Sequence, residues 1–310
     1  MPMPQYTLVL TSTLKLTPTE REEAMKAGLR KKLATAVAAA SAMAALVVAT
    51  PGTSHAATPS LPAFGISADG KLMAYFTTDR PDVLNWFRVI NGLSGDTSVI
   101  GIDFRVQNGL MYAVGNQGGV YTVKTPPAVP DVQVTKVSQL SVPLQGTNFG
   151  VDFNPAADRL RIISDTGQNL AHNLANSSTA TNTPLTTDGA TTHGVTGAAY
   201  TNNDLNSATA TTLFDINTTS DQVVIQSPPA NGLLTATGSL GFDAGANAGF
   251  DIFSDLSAGK TISNTAFAAL TPAGASTTTL YTVDVLTGAT TDVYAFPIPI
   301  TDIAVALDAG

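Results

Sequence analysis

The chain has 310 residues, 44% of them hydrophobic, and 15 Lys or Arg stand against 23 Asp or Glu for a formal net charge of −8. That length and apolar content suffice to bury a core in one domain, and the acidic balance disfavours nucleic-acid binding, which needs a basic footprint. Cysteine is absent, so neither disulfides nor thiol chemistry enters.

The first part of the chain reads as a secretion signal. From Met25, a basic segment (Lys26, Arg30, Lys31, Lys32) leads into an Ala-rich apolar run of 17 residues, Leu33 to Ala49, followed by Pro51-Gly52 and Ser54-His55-Ala56. This is the layout of a signal peptide over residues 25–56, cleaved after Ala56. A membrane anchor is the alternative, but the run is short and weakly hydrophobic. No paired arginine and no following cysteine are present, which points to general secretion without lipid anchoring. The expected product is secreted or held in the periplasm or cell envelope, with no transmembrane anchor after cleavage. Residues 1–24 are expected to be an upstream extension from a misassigned start. From Ala57 on, nine Lys or Arg face twenty Asp and no Glu, a net of −11.

Residues 57–62 form a Pro, Ser and Thr linker, and strand patterns fill 63–310. The first three are AFGISADG at Ala63, KLMAYFTTD at Lys71 and VLNWFRVI at Val83, divided by Asp69-Gly70 and Arg80-Pro81-Asp82 turns. IGIDF at Ile100 then recurs as FGVDF at Phe149, TGAAY at Thr196, AGFDIF at Ala248 and faintly TDIAV at Thr301. The glycines at 101, 150, 197 and 249, with Asp302 in the last equivalent place, are 49, 47, 52 and 53 residues apart. Each opening is followed by further strands: LMYAVG, VYTVKT and VQVTKVSQL; RLRIIS, LAHNLAN and a weak strand near Thr183; TLFDIN, DQVVIQ and LLTATGSL; NTAFAAL, TTLYTVDV and ATTDVYAF.

The spacing predicts an all-β chain, a five-bladed β-propeller in which the C-terminal strand ITDIAVAL closes the three-stranded first blade. A β-sandwich or two-sheet solenoid is the runner-up. The segments FGVDFNPAADRLRIISDTGQNL, VTGAAYTNNDLNSATATTLFDINTTSDQVVIQSPP and GFDIFSD resemble the bacterial family catalogued as domain of unknown function 4394. The resemblance covers most of Phe64 to Leu307. It implies an exported repeat β-protein and brings no activity or functional residue with it.

First strands of blades line the channel, so Asp103, Asp152 and Asp251 are expected to meet near the axis, with Ala199 and Ala304 in the other two places. Such carboxylates either recruit a cation, calcium being the one expected, or accept backbone N–H groups that lock strand to strand. The oxygen-rich run Tyr200 to Asn206 reads as an Asx-turn network rather than a calcium loop. Arg159 and Arg161 should share a strand face and pair with Asp158 or Asp165. His172 and His193 are too few for a zinc site. Tyr75, Trp86, Phe87 and Tyr112 either stack on sugars or pack between blades. No hydrolase elbow, P-loop or dinucleotide fingerprint appears. The leading expectation is a monomeric, non-catalytic binding or scaffold propeller for a glycan, small molecule or protein. A glycan-active hydrolase using paired Asp residues and a structural envelope protein are the alternatives.

Overall fold

Runs of β-branched and aromatic residues, cut every few positions by Gly, Asn and Asp, leave almost no stretch with helical periodicity. The computed structural model describes residues 57–309, and the signal-like segment 25–56 and the extension 1–24 lie outside the described residues. The described chain is all-β, broken only by a short 3-10 turn at Pro229–Asn231, and none of its helices is long and apolar enough to cross a membrane.

The strands follow as antiparallel meanders. The first holds β1 (Pro62–Ser67), β2 (Leu72–Thr77) and β3 (Trp86–Asn91); the second holds β4 (Val99–Arg105), β5 (Leu110–Gly115), β6 (Gly119–Lys124) and β7 (Val132–Gln139). Next come β8 (Phe149–Asn154), β9 (Arg159–Ser164), β10 (Asn169–Asn173) and β11 (Ser178–Thr181), then a small hairpin of β12 (Thr186–Thr187) and β13 (Ala190–Thr191). The fourth meander is β14 (Val195–Tyr200), β15 (Leu213–Asn217), β16 (Gln222–Gln226) and β17 (Leu234–Ser239). The fifth is β18 (Ala244–Ser257), β19 (Lys260–Pro272), β20 (Thr279–Val283) and β21 (Thr290–Ala295), and β22 (Ile300–Val305) ends the series.

Strand β22 does not pair with its predecessor. It runs antiparallel to β1, with Phe64 opposite Ala304 and Gly65 opposite Ile303, so the last strand completes the first meander. The leading strands touch in the cyclic order β22, β4, β8, β14, β18 and back to β22. Their alternate residues are buried on both faces, with Phe153, Phe250, Ile102 and Ile303 almost wholly covered.

Five features differ from the sequence expectation. Outer strands β3 and β7 pair in parallel, Ile90 opposite Val132, so the first two meanders share one eight-stranded sheet. The strand expected near Thr183 sits at 178–181, because the Thr183 amide bonds to the Ala230 carbonyl of the next meander instead. The β12–β13 hairpin is too short to carry a periodic signal. Hairpin β18–β19 is 14 and 13 residues long and runs well past the other inner strands. The expected linker also ends one residue early: Pro62 already belongs to β1, and the Leu61 amide donates to Thr78 Oγ1 at 3.0 Å.

Glycine in the inner strands permits their close approach. A Cβ on Gly150 would lie 2.7 Å from the Ala198 amide nitrogen and 2.9 Å from the Gly197 carbonyl carbon, both rigid backbone atoms. Gly150→Ala should therefore lower the unfolding free energy by about 1–3 kcal/mol in urea titration, the usual range for overpacking.

Candidate functional site

The inner strands bring the three aspartates together. Asp103 on β4, Asp152 on β8 and Asp251 on β18 each place a carboxylate oxygen within 4.8 Å of the others, and their exposures are 6%, 2% and 3%. Each reaches forward to the next inner strand. Asp103 Oδ2 accepts the Phe153 amide at 2.6 Å, Asp152 Oδ1 the Tyr200 amide at 3.1 Å, and Asp251 Oδ2 the Val305 amide at 2.6 Å. Where the preceding strand offers alanine, at Ala304 and Ala199, the receiving amide would be left alone. Phe104 and Ile252 instead donate to Oδ1 of the aspartate just before them, both at 2.6 Å. Five of the six oxygens thus hold backbone N–H groups, and Asp152 Oδ2 alone has none.

Asp302 belongs to the same arrangement, although the repeat aligns it with the glycines. Its Oδ2 accepts the Ile102 amide at 2.7 Å and joins β22 to β4, in space that a side chain at Gly101 would occupy. The signal was the one repeat in which an acid replaces glycine. The β14–β18 junction uses the predicted Asx-rich run. Asn203 donates to the Ile252 carbonyl at 3.0 Å, and Asp204 Oδ2 accepts the Thr261 amide and hydroxyl at 2.9 and 2.7 Å.

Burial drives the electrostatics of this cluster. It pushes Asp103, Asp152 and Asp302 well above the usual carboxylate range, and the Asp251 charge beside Asp103, and the Asp103 and Asp251 charges beside Asp152, add to the rise. Asp251 is raised to about 6 by burial, opposed by the Val305 and Ile252 amides.

Other singled-out residues separate. Arg161 does not join an ion-paired surface with Asp158 or Asp165. It is buried, and its guanidinium donates to Asn169 Oδ1, Asn182 Oδ1 and the Tyr200 hydroxyl at 2.6, 2.7 and 3.3 Å. Asp158 pairs with Arg105 across the β4–β8 junction at 2.6 Å, while Arg159 donates to the Ala157 and Asp158 carbonyls. Asp215, in the apolar strand LFDIN, is wholly buried with neither oxygen hydrogen-bonded. Burial pushes it far up, against the pull of Arg161. An acid in the middle of an apolar run was its only sequence signal. His172 is buried between the Ser138 and Thr179 hydroxyls, at 2.8 and 3.0 Å, and His193 lies apart at the surface. Tyr112 packs edge-on against Phe153.

Two clefts open at the end where β4 and β22 finish. One cleft, of about 600 Å³, is walled by Phe64, Tyr75, Trp86 and Phe104 on one side and Pro126-Pro127 on the other. A second, of about 470 Å³, is lined by Phe104, Val106, Asp204, Leu205, Leu256 and Asp308 among others. Phe104 and Ala306 line both, so the two clefts adjoin. Neither is lined by Lys, Arg or His.

Residues 72–304 match the family described as Domain of unknown function (DUF4394). The chain belongs to the DUF4394 family. The DUF4394 match takes in all four inner aspartates together with Tyr75, Trp86 and Phe104, and leaves Phe64 outside. No curated protein matches the chain. Among solved structures, a glutaminyl cyclase of Myxococcus xanthus is similar at 11% identity and a TM-score of 0.42, over 73% of this chain and 100% of that one. A protein of unknown function from Bacteroides thetaiotaomicron is similar at 13% and 0.44, over 81% and 68% of the two chains. The WD40 domain of Toxoplasma gondii coronin is similar at 14% and 0.37, over 76% and 68%. The described residues of the DUF4394 chain are all-β apart from one short 3-10 turn.

Proposed function

We propose that this DUF4394 protein is an exported, non-catalytic binding module, built as a five-bladed β-propeller whose ligand face is the mouth at the ends of β4 and β22. In support of five blades, the eight-stranded sheet divides at the parallel β3–β7 pair into two four-stranded halves, β22 joining the first. Export rests on the signal-like segment 25–56. The observation that carries the binding role is the pair of adjoining clefts sharing Phe104, open to solvent and rich in apolar wall.

The hydrolase alternative has less support. Acid–base work on a glycosidic bond needs carboxylates that reach substrate. The inner aspartates are at most 6% exposed, and five of the six carboxylate oxygens of Asp103, Asp152 and Asp251 hold backbone amides. The Ser138–His172 pair has a threonine hydroxyl where a triad needs a carboxylate.

A panel of nitrophenyl glycosides and esters, run beside a thermal-shift ligand screen, separates the two. The expected result is ligand-induced stabilisation that is lost in Phe104→Ala, with no turnover. Turnover that disappears in Asp152→Asn would make the protein an enzyme.

A further inference from the structure

We infer that the cleft between the Phe64, Tyr75 and Trp86 wall and the Pro126-Pro127 loop binds a neutral saccharide, an inference that rests on the mouth being the ligand face. The wall is a cross-strand row: Phe64 lies opposite Tyr75, and Tyr75 opposite Trp86. Ring centroids are 5.1 Å apart for Phe64 and Tyr75, 5.7 Å for Tyr75 and Trp86 and 5.9 Å for Phe64 and Trp86, so the three half-buried rings lean together into one packed cluster whose outer side forms the wall. A pyranose lays its C–H face on such a surface. A proline-rich peptide needs slots between splayed rings, and rings in contact leave none.

Polar groups at the wall complete the match. The Tyr75 hydroxyl, the Trp86 indole N–H and the exposed Asn85 amide have no protein hydrogen-bond partner among the described residues, and all three residues line the cleft. Apolar walls with a few unspent donors and acceptors suit a ligand that is itself apolar on its faces and hydroxylated at its edges. No charged side chain lines the cleft, although residues 57–310 hold twenty Asp and nine Lys or Arg. An ionic ligand would therefore meet no counter-charge there.

Trp86 is the one tryptophan of the chain, so its fluorescence reports on this cleft alone. The full-length chain is titrated with cellotetraose, maltotetraose and N-acetylchitotetraose, and separately with a deca-proline peptide. The expected result is a saturable change with at least one saccharide, weakened about tenfold in Tyr75→Ala, the loss typical of truncating an aromatic anchor. Asn85→Ala, at an exposed position whose side chain holds no other part of the fold, should weaken it too. Saturation by no saccharide overturns the inference. Saturation by the peptide alone overturns the saccharide and leaves the mouth as a binding face. Saccharide binding unchanged in both variants overturns the location, since the ligand then sits elsewhere.

Discussion

Asp152→Asn should leave the protein about 2 kcal/mol more stable at pH 7 than either Asp103→Asn or Asp251→Asn. Each substitution replaces one carboxyl of the same buried trio by an amide of nearly the same size. What differs is the hydrogen bonding. Asp103 and Asp251 each accept two backbone amides, one on each oxygen. An asparagine there keeps one bond and sets its own NH2 against a buried N–H, which costs about 1–3 kcal/mol. Asp152 accepts only the Tyr200 amide, on Oδ1. Asparagine can keep that bond and place its NH2 where Oδ2 has no donor. Urea unfolding of the three variants checks the order, and equal losses at 103 and 152 would sink the argument.

Acidification from neutral pH to about pH 5 should stabilise the protein rather than loosen it. Asp103, Asp152, Asp302 and Asp215 are all pushed up chiefly by burial, and Asp251 reaches about 6 from an ordinary 3.8. Between those two values the folded chain binds a proton that the unfolded chain releases. Stability from this source is present at low pH and lost as pH rises through the folded value. For Asp251 alone the difference is on the order of 3 kcal/mol. The trend reverses below about pH 4. There Asp158, held down by the Arg105 guanidinium, and Asp69, held down by the Ser67 hydroxyl, lose those partners on protonation. Unfolding midpoints across pH 3 to 8 should therefore peak on the acid side of neutrality. A peak at neutral pH or above would contradict the burial of unpaired carboxylates.

Much of this was legible because the inner strand repeats a local chemistry. Glycine where backbones approach recurs in four of the five inner strands and aspartate two residues on in three, so Asp103, Asp152 and Asp251 stood out by register alone. Asp302 did not, because it solves the same problem from the glycine place, through space that only the neighbouring Gly101 leaves free. Arg161 was misjudged as a surface ion pair. Its strand is short and alternating, and its partners Asn169, Asn182 and Tyr200 come from three other segments that periodicity cannot bring together. The parallel β3–β7 pair and the long β18–β19 hairpin depend on packing between neighbouring meanders, which no single strand encodes. The aromatic wall lay between the two. Tyr75 and Trp86 were visible as residues, but only strand pairing sets them side by side with Phe64.

The central claim is that the inner carboxylates fasten strand to strand and leave ligand binding to the mouth. Thermal unfolding of the full-length chain at pH 7, in calcium and in chelator, beside the same measurement at pH 5, tests it most directly. The account predicts one midpoint in calcium and chelator alike, and a higher one at pH 5. A calcium-dependent rise at pH 7 that Asp103→Asn abolishes would contradict it and make the cluster a cation site.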